Sequence, residues 1–325
     1  MNSSSQLAPI VLFVYNRPSH TRQTVEALLK NPEAKDSLLY IFSDGPKVDA
    51  SDDVKQKISA LRAYIHTISG FKDIIIEEAD KNKGLANSIV YGVTKVIGLH
   101  GKVVVIEDDV VTSSHFLHYI NQSLELYKDE NDVICINGAS FFNNAPIKEN
   151  TFFQYGADCQ GWATWERGWS LFNPDGTELL NSIISNKQYL YELTYDDTYD
   201  YINMLKGTID GRIDSWAIKW LCSAIVNRKL CLYPSKSLVQ NIGFDSEATN
   251  TKGNKSDYEL EYISIIADET TFDFPKIRVE DNKIMRKLLE KKYRKLFHRE
   301  KEQCRFSLFC FLRKVVRKIN KILCK

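Results

Sequence analysis

Three consecutive carboxylates follow an apolar run in the first half of the chain. Glu107, Asp108 and Asp109 come directly after Val103 to Ile106, a run typical of a strand that is covered on both faces. In open α/β sheets, ligands bind outside the carboxyl ends of such strands. Adjacent carboxylates repel one another, and Mg²⁺ or Mn²⁺ relieves that repulsion while keeping sites for phosphate oxygens. The run indicates a metal site, and an acidic solvated turn is an equally good explanation of it.

Two other charged segments stand where helices are expected to begin. Lys83-Gly84 precedes an apolar, periodic segment, so it suits either phosphate binding at free N–H groups or an ordinary cap with a solvated lysine. Asp214 precedes a helix that contains Trp220, and it suits either an N-cap or a catalytic carboxylate.

The segment from Gly161 to Trp169 contains three tryptophans in nine residues. Indole faces stack on sugar rings and Glu166 could hold hydroxyls, whereas clustered tryptophans more often belong to a core. We assign Trp162 and Trp165 to the acceptor side of a binding site, with Glu166 as the second candidate for a catalytic carboxylate after Asp214.

The elements that position these groups alternate between strand and helix. Strands are predicted at Ile10 to Tyr15, Leu38 to Phe42, Ile74 to Ile76, Lys102 to Asp109 and Val133 to Asn137. Ser19 is expected to cap the first helix after Pro18 breaks the first strand. The alternation predicts right-handed βαβ units and an α/β fold with a mostly parallel, doubly wound sheet.

Charge divides the chain into an acidic body and a basic tail. From Lys283 to the end there are 16 Lys and Arg against 3 Asp and Glu, a net charge of +13, which leaves −12 for residues 1–282. We predict a nucleotide-binding half at 1–137, an acceptor-side half of the same domain at 138–282 and a helical tail at 283–325. Within residues 306–325, apolar and basic residues alternate at helical spacing, which indicates an amphipathic helix on an anionic membrane. A solvated helix that docks on the acidic body or pairs with a partner helix is the alternative.

Cysteine usage and the N-terminal residues bear on the compartment. The seven cysteines show no paired CxxC spacing, so neither a disulfide framework nor a zinc site is indicated. Met1 to Pro9 lacks the pattern of a secretory signal, and no apolar run approaches the ~20 residues that span a bilayer. We therefore expect a cytoplasmic protein, peripheral at the inner face of the cell membrane, with no nucleic-acid partner.

Several short motifs occur together in a familiar order. They are Asn16-Arg17-Pro18, Ser43-Asp44-Gly45, Lys83-Gly84 with Asn87, Glu107-Asp108-Asp109, the Gly161 to Trp169 segment and Asp214-Ser215-Trp216. In these motifs, over about residues 8–245, the chain resembles bacterial GT-A glycosyltransferases related to family 2, and among them those similar to animal N-acetylglucosaminyltransferase I. The resemblance implies a GT-A fold and inverting transfer of a sugar from a nucleotide donor, usually a UDP-sugar, to a glycan or lipid-linked glycan, with Mn²⁺ or Mg²⁺ as cofactor.

The resemblance also implies roles for individual residues. Asp109 corresponds to the metal ligand, and Asp214 to the base that deprotonates the acceptor. The residues implied on the donor side are Tyr15, Asn16, Arg17, Asp44, Lys83, Asn87, Glu107 and Asp108, with Asp44 as a uracil or ribose contact and Glu107 and Asp108 as contacts to ribose or base. Relatives often carry a histidine-containing segment after the Gly243-Phe244-Asp245 turn, and residues 246–250 contain no histidine.

Two other function classes remain open. A sugar nucleotidyltransferase also uses a Rossmann-like sheet and metal-binding acids, but it usually has a Gly-rich loop after the first strand, and Tyr15 to Ser19 contains no glycine. A non-catalytic carbohydrate-binding or scaffold protein could retain the fold without the reaction, because fold does not fix function.

Overall fold

The computed structural model describes residues 6–140, 142, 147–243, 270–275 and 282–294. The strands are β1 (Ile10–Val14), β2 (Leu38–Ser43), β3 (Asp73–Glu78), β4 (Lys102–Glu107), β5 (Val110–Thr112), β6 (Val133–Asn137), β7 (Thr151–Tyr155), β8 (Trp162–Trp165), β9 (Leu230–Pro234) and β10 (Val239–Asn241). The helices are α1 (Pro18–Leu28), α2 (Asp52–Ile65), α3 (Leu85–His100), α4 (Phe116–Leu126), α5 (Glu166–Trp169), α6 (Gly176–Ser185), α7 (Lys187–Thr194), α8 (Tyr201–Ile209) and α9 (Ala217–Val226). A short 3-10 helix covers Pro32–Asp36, and residues 283–294 are helical.

An eight-stranded sheet forms the centre of the molecule, in the order β3, β2, β1, β4, β8, β6, β9, β7. The first four of these strands pair in parallel, as do β6 and β9. β8 runs antiparallel to both β4 and β6, and β7 runs antiparallel to β9. Six strands therefore point one way, which confirms the predicted α/β fold with a mostly parallel sheet flanked by helices. β5 and β10 form a separate antiparallel pair.

Helices cover both faces of the sheet, because successive residues of each central strand point to opposite sides. On one face, Ile10 and Leu12 belong to a buried cluster that includes residues of α1, α2 and α4. On the other face, Val11 and Phe13 belong to a cluster that includes residues of α3 and α9. The fully apolar strands of the prediction are thus strands buried on both sides.

Two helix starts differ from the prediction. α1 begins at Pro18 with Arg17 as N-cap, so Ser19 lies inside the first turn and is not the cap. Proline suits the first helical position because its φ is fixed near the helical value and its missing N–H would have no helical partner. α9 begins at Ala217 with Trp216 as N-cap and no side-chain cap bond, so the capping role considered for Asp214 is wrong.

Residues 283–294 pack on the body through Met285, Arg286, Leu289 and Tyr293, all of which are buried. Leu289 and Tyr293 contact Tyr195, which follows α7. This helix therefore packs on the preceding part of the chain, and the boundary at residue 282 stays a prediction. The remainder of the predicted tail, including 306–325, lies outside the described residues. Within the part of the chain that is described, no helix combines the length and the apolar composition needed to span a membrane.

Candidate functional site

The carboxyl ends of four adjacent parallel strands bring most of the predicted site together. Asp44 follows β2, Arg17 follows β1, and Asp108 follows β4, while Lys83 lies between β3 and α3. Neighbouring strands are about 4.8 Å apart, so groups at the ends of β2 and β4, on either side of β1, are about 10 Å apart. In open α/β sheets, ligands bind outside this carboxyl edge of the strands.

The three carboxylates at the end of β4, Glu107, Asp108 and Asp109, are half-buried. Arg17 Nη1 donates to Asp109 Oδ2 at 3.1 Å. The backbone N–H of Tyr15 donates to the Asp108 carboxylate. Thr24 holds the same segment from the other side, because its hydroxyl donates to the Asp108 carbonyl oxygen at 2.9 Å.

Burial raises the pKa of all three acids, and neighbouring carboxylates raise those of Glu107 and Asp108 further. Burial raises the pKa of Glu107, and the nearby charges of Asp109 and Asp108 raise it further. Burial and the charge of Asp109 raise the pKa of Asp108. The pKa of Asp109 is also raised by burial, against the opposing effect of Arg17. A group of carboxylates with this much unfavourable charge gains stability from a cation.

The residues present fit a divalent metal in their donor chemistry. Carboxylate oxygens are the ligands that Mg²⁺ and Mn²⁺ prefer, and one guanidinium offsets only part of the charge of three carboxylates. Asp109 is the acid closest to the incoming Gly243 loop. In the described residues, no group of three or more His, Cys, Asp and Glu side chains already forms a ligand set, so a metal here would also use water or substrate oxygens.

Gly243 makes a close approach to Asp109 that the sequence did not reveal. A Cβ on Gly243 would lie 2.1 Å from Asp109 Oδ2, so a side chain there would force the carboxylate or the backbone to shift. Two bonds set this position: Ile242 N donates to the Asp109 carbonyl oxygen at 2.8 Å, and Gly243 N donates to Asn241 Oδ1 at 2.7 Å. Pairing of β10 with β5, the strand after the acids, brings the two segments together.

Asp44, the predicted nucleotide contact, accepts hydrogen bonds from four protein donors. Its Oδ1 accepts from the backbone N–H groups of Gly45 and Lys83, each at 2.8 Å. Its Oδ2 accepts from Asn82 Nδ2 at 2.9 Å and from Gly84 N at 3.1 Å. Asn82 is a further site residue that sequence reasoning missed.

The basic and amide groups at the start of α3 also have local partners. Lys83 Nζ lies 4.3 Å from the centroid of the Tyr91 ring and 4.0 Å from Glu77 Oε1. Asn87 Nδ2 donates to the Lys83 carbonyl oxygen at 2.8 Å. Asn16 is half-buried and lies two residues after the end of β1. Lys83 remains 42% exposed, so incoming phosphate can reach it.

Asp214 is exposed and lies beside the start of α3. Its Oδ2 is 3.0 Å from the position that a Cβ on Gly84 would occupy, and Gly84 has a φ of +81°, which favours glycine. The structure therefore brings Asp214 to the loop that Asp44 holds. Asp214 is thus an exposed carboxylate next to this loop.

Glu166 does not join this group. β8 is antiparallel to β4, with Trp165 opposite Lys102, so Glu166 lies at the amino end of β4, and its N–H donates to the Gly101 carbonyl oxygen at 2.8 Å. β4 has six residues, so about 17 Å separates its two ends. This placement corrects the assignment of Glu166 as a candidate base, because Glu166 and Asp109 lie at opposite edges of the sheet.

The acceptor-side assignment of Trp162 and Trp165 is also corrected by their burial. Trp162 is 0% exposed and stacks on Trp216, with ring centroids 5.1 Å apart. Trp165 is 6% exposed and donates from Nε1 to the Leu124 carbonyl oxygen at 3.1 Å. Both indoles belong to the core, which is the other interpretation that the sequence allowed.

Comparisons with known proteins give distant similarities in fold. No protein-family model and no curated protein sequence matches the chain. The chain is similar to the mannosyltransferase PcManGT from Pyrobaculum calidifontis, solved in complex with GDP-Man and Mn²⁺, over 69% of this chain and 70% of that one, with 10% identity and a TM-score of 0.37. It is similar to S. aureus TarS over 78% of this chain and 38% of that one, with 11% identity and a TM-score of 0.37. Identities and TM-scores this low carry no argument about the reaction.

Proposed function

We propose that the chain is a metal-dependent, inverting glycosyltransferase that moves a sugar from a nucleotide donor, with UDP the expected nucleotide, to a hydroxyl of a cell-surface glycan precursor. One observation carries this proposal. Three half-buried carboxylates, Arg17 and the loop next to Asp214 all lie at the carboxyl edge of the parallel strands. A phosphate-binding metal site and a separate exposed carboxylate are the two requirements of such a transfer.

Asp109 is the residue expected to hold the metal, with Glu107 and Asp108 contributing charge or contacts to the donor. When bound, Mn²⁺ or Mg²⁺ would stabilise the charge that builds on the departing diphosphate. Arg17 donates to Asp109 and thereby helps to orient this carboxylate. Arg17 is also well placed to meet a phosphate oxygen, because guanidinium groups bind such oxygens in a planar geometry.

Asp214 is the proposed general base. In an inverting transfer the acceptor oxygen forms a bond to the anomeric carbon while the bond from that carbon to the phosphate oxygen breaks on the opposite side. The acceptor proton passes to a carboxylate within hydrogen-bond reach of the hydroxyl. Asp214 is exposed, as a group that meets a second substrate must be, and lies against the loop at the start of α3.

Calorimetry with UDP and Mn²⁺ tests the metal site. We expect Asp109→Asn to abolish metal-dependent UDP binding while the thermal unfolding midpoint changes little, because Asp109 lies at a strand end outside the apolar core. Asp129→Asn is the matched control, since Asp129 is exposed and precedes β6 at the other edge of the sheet. Equal UDP affinity in the wild type with and without metal, or in Asp109→Asn, would contradict the proposal.

A donor panel separates the proposal from its alternatives. Incubation of the wild type with UDP-sugars and Mn²⁺ should release UDP slowly, because water can replace the acceptor hydroxyl. A carbohydrate-binding protein releases none. A nucleotidyltransferase instead forms pyrophosphate from a nucleoside triphosphate and a sugar 1-phosphate.

A further inference from the structure

We propose that Asp44 is a positioning residue: its carboxylate holds residues 82–84 at the start of α3 against the end of β2, and so fixes the backbone beside Asp214. The part of the proposal that concerns Asp214 rests on the proposed function. The part that concerns the loop is independent of it.

The hydrogen-bonding capacity of Asp44 carries the argument. A carboxylate offers about four lone-pair sites, and Asp44 accepts four hydrogen bonds, two at each oxygen. Three of the four donors belong to residues 82–84, which lie 38 to 40 positions further along the chain. A uracil or ribose group could bind Asp44 only by displacing one of these donors.

Further contacts join the turn at Asp44 and Gly45 to the loop at residues 79–84. A Cβ on Gly45 would lie 2.6 Å from the Ala79 carbonyl oxygen and from Lys81 N, so the two backbones touch. Asn82 adds a second attachment, because its Nδ2 donates to the Gly45 carbonyl oxygen at 3.0 Å and its N–H donates to the Pro46 carbonyl oxygen at 3.2 Å. Only glycine fits at position 45, and Asp44 joins the two touching segments.

Gly84 connects the loop held by Asp44 to Asp214, the proposed base. Its N–H is held by Asp44, and its carbonyl oxygen accepts from Ser88 N in the first turn of α3. The Asp214 carboxylate lies against Gly84, close enough that a Cβ there would be 3.0 Å from Oδ2. Release of the loop would therefore change the surface that supports Asp214.

Amide hydrogen exchange, read at single amides, tests the loop without any need for catalysis. We expect the Lys83 and Gly84 amides of the wild type to be protected, and UDP with Mn²⁺ to leave that protection in place. Asp44→Asn keeps one oxygen acceptor and replaces the other by a donor, so the amide that faces the new NH2 group, Lys83 or Gly84, should lose protection about tenfold or more. Asp80→Asn is the matched control, since Asp80 is exposed in the same loop and should leave the protection unchanged.

Two results would overturn the loop assignment. One is unchanged protection of Lys83 and Gly84 in Asp44→Asn. The other is loss of their protection in the wild type on addition of UDP, which would mean that Asp44 leaves the loop to contact the nucleotide. If Asp44→Asn does not fold, Asn82→Ala removes one donor to Oδ2 and should lower the protection of Gly84 by a smaller factor; unchanged protection there would contradict the proposal equally.

Kinetics with a donor that the wild type accepts then test the link to Asp214. A positioning role predicts that Asp44→Asn lowers kcat about tenfold while the KM for donor and the preference for UDP over other nucleotides stay within about threefold of wild type. A rise in KM confined to uridine donors would show a direct base contact and overturn the proposal. A wild type that turns over no donor would reject the proposed function, while the exchange measurement would still decide whether Asp44 holds the loop.

Discussion

Asp109 has two close neighbours, the Arg17 side chain and the Gly243 backbone. Arg17 donates to its Oδ2, and the backbone of Gly243 passes so close to the same oxygen that a side chain at position 243 would collide with it. The Arg17 hydrogen bond and the close Gly243 backbone together orient the carboxylate. An oriented ligand is what a metal site needs if it is to bind without a large loss of side-chain entropy.

Gly243→Ala should thus disturb the metal site without touching any proposed ligand. The added methyl group would displace either the Asp109 carboxylate or the Gly243 backbone, so we expect metal-dependent UDP affinity to fall about tenfold or more. Gly98→Ala is the control, because a Cβ at Gly98 meets no atom within 4 Å. Calorimetry with UDP and Mn²⁺ gives the comparison, and equal affinities for the two variants would show that the close approach has no bearing on binding.

Asp214→Asn should separate catalysis from donor binding. We expect turnover to fall about 100-fold or more, the scale of losing a general base, while UDP affinity stays near the wild-type value. Glu166→Gln provides the comparison, because Glu166 lies at the opposite edge of the sheet and should leave turnover unchanged. Steady-state kinetics with an accepted donor measure both, and near-normal turnover in Asp214→Asn would remove this residue from the mechanism.

At the scale of elements, β8 determines which predicted residues meet. Insertion of β8 antiparallel to β4 turns its first residue, Trp162, toward the carboxyl edge and its last, Trp165, toward the amino edge. The segment before β8 thereby reaches the site, where Gln160 Oε1 accepts from Asn241 Nδ2 at 3.2 Å. The segment after β8, which begins with Glu166, lies at the amino edge of the sheet.

The connection from β7 to β8 also contains a carboxyl group that should make stability depend on pH. Burial raises the pKa of Asp158 to about 6, against hydrogen bonds from Cys159 and Tyr233 that lower it. Between about pH 4, where the unfolded chain loses this proton, and about pH 6, where the folded protein loses it, the folded state binds more protons. Stability from this group therefore falls as pH rises through that window.

Denaturant unfolding of the wild type and Asp158→Asn measures this contribution. The full shift corresponds to about 3 kcal/mol, and since solvent reaches part of the side chain we expect the wild type to lose about 1 to 2 kcal/mol more than the variant between pH 4 and pH 7. Every other titrating group is common to the two proteins. Parallel stability curves would show that Asp158 titrates alike in the folded and unfolded states.

The whole molecule combines an acidic body with a basic C-terminal segment, and the first part of that segment is docked. Arg286 is 5% exposed, and its Nη2 donates to the carbonyl oxygens of Tyr191 and Glu192, in the last turn of α7, at 3.2 and 2.9 Å. The opposite face of this helix exposes Lys283, Lys287 and Lys291. The buried face of this helix packs on the body. Its exposed face adds to the positive charge of the residues that follow.

We propose that residues 306–325, which lie outside the described residues, attach the protein to an anionic membrane surface. Lys and Arg near such a surface contribute about 1 kcal/mol each, and phenylalanines in this segment add apolar insertion. Full-length protein should sediment with phosphatidylglycerol vesicles at low salt and be released as salt rises. A variant with Lys314→Glu, Arg317→Glu and Lys318→Glu should stay in solution.

Charge reversal of three exposed lysines of the body, Lys30, Lys35 and Lys55, is the control for net charge, because it changes the charge by the same amount, and it should leave sedimentation unchanged. If both sets of substitutions weaken binding equally, the attraction is a property of overall charge and not of the C-terminal segment. Sedimentation that ignores lipid charge would equally count against this attachment.

The sequence by itself determined the elements whose signals are local. The bounds predicted for β6 are those observed, and the predicted strand that ends in Glu107, Asp108 and Asp109 is β4 with its acids at the carboxyl end. Apolar runs, turn residues and the alternation of strand and helix act over a few positions, so they can be recognised without knowledge of what each element packs against.

Only the tertiary structure decided which of the candidate residues meet. Glu166 and Trp165 were assigned together with Asp214, but pairing of β8 with β4 separated them from it, and strand direction cannot be inferred from the residues of β8 alone. The partners of Asp44 lie about 40 positions away, and Gly243 reaches Asp109 from more than 130 positions away through the pairing of β10 with β5. Such contacts depend on how strands pair across long stretches of chain, which local residue patterns do not specify.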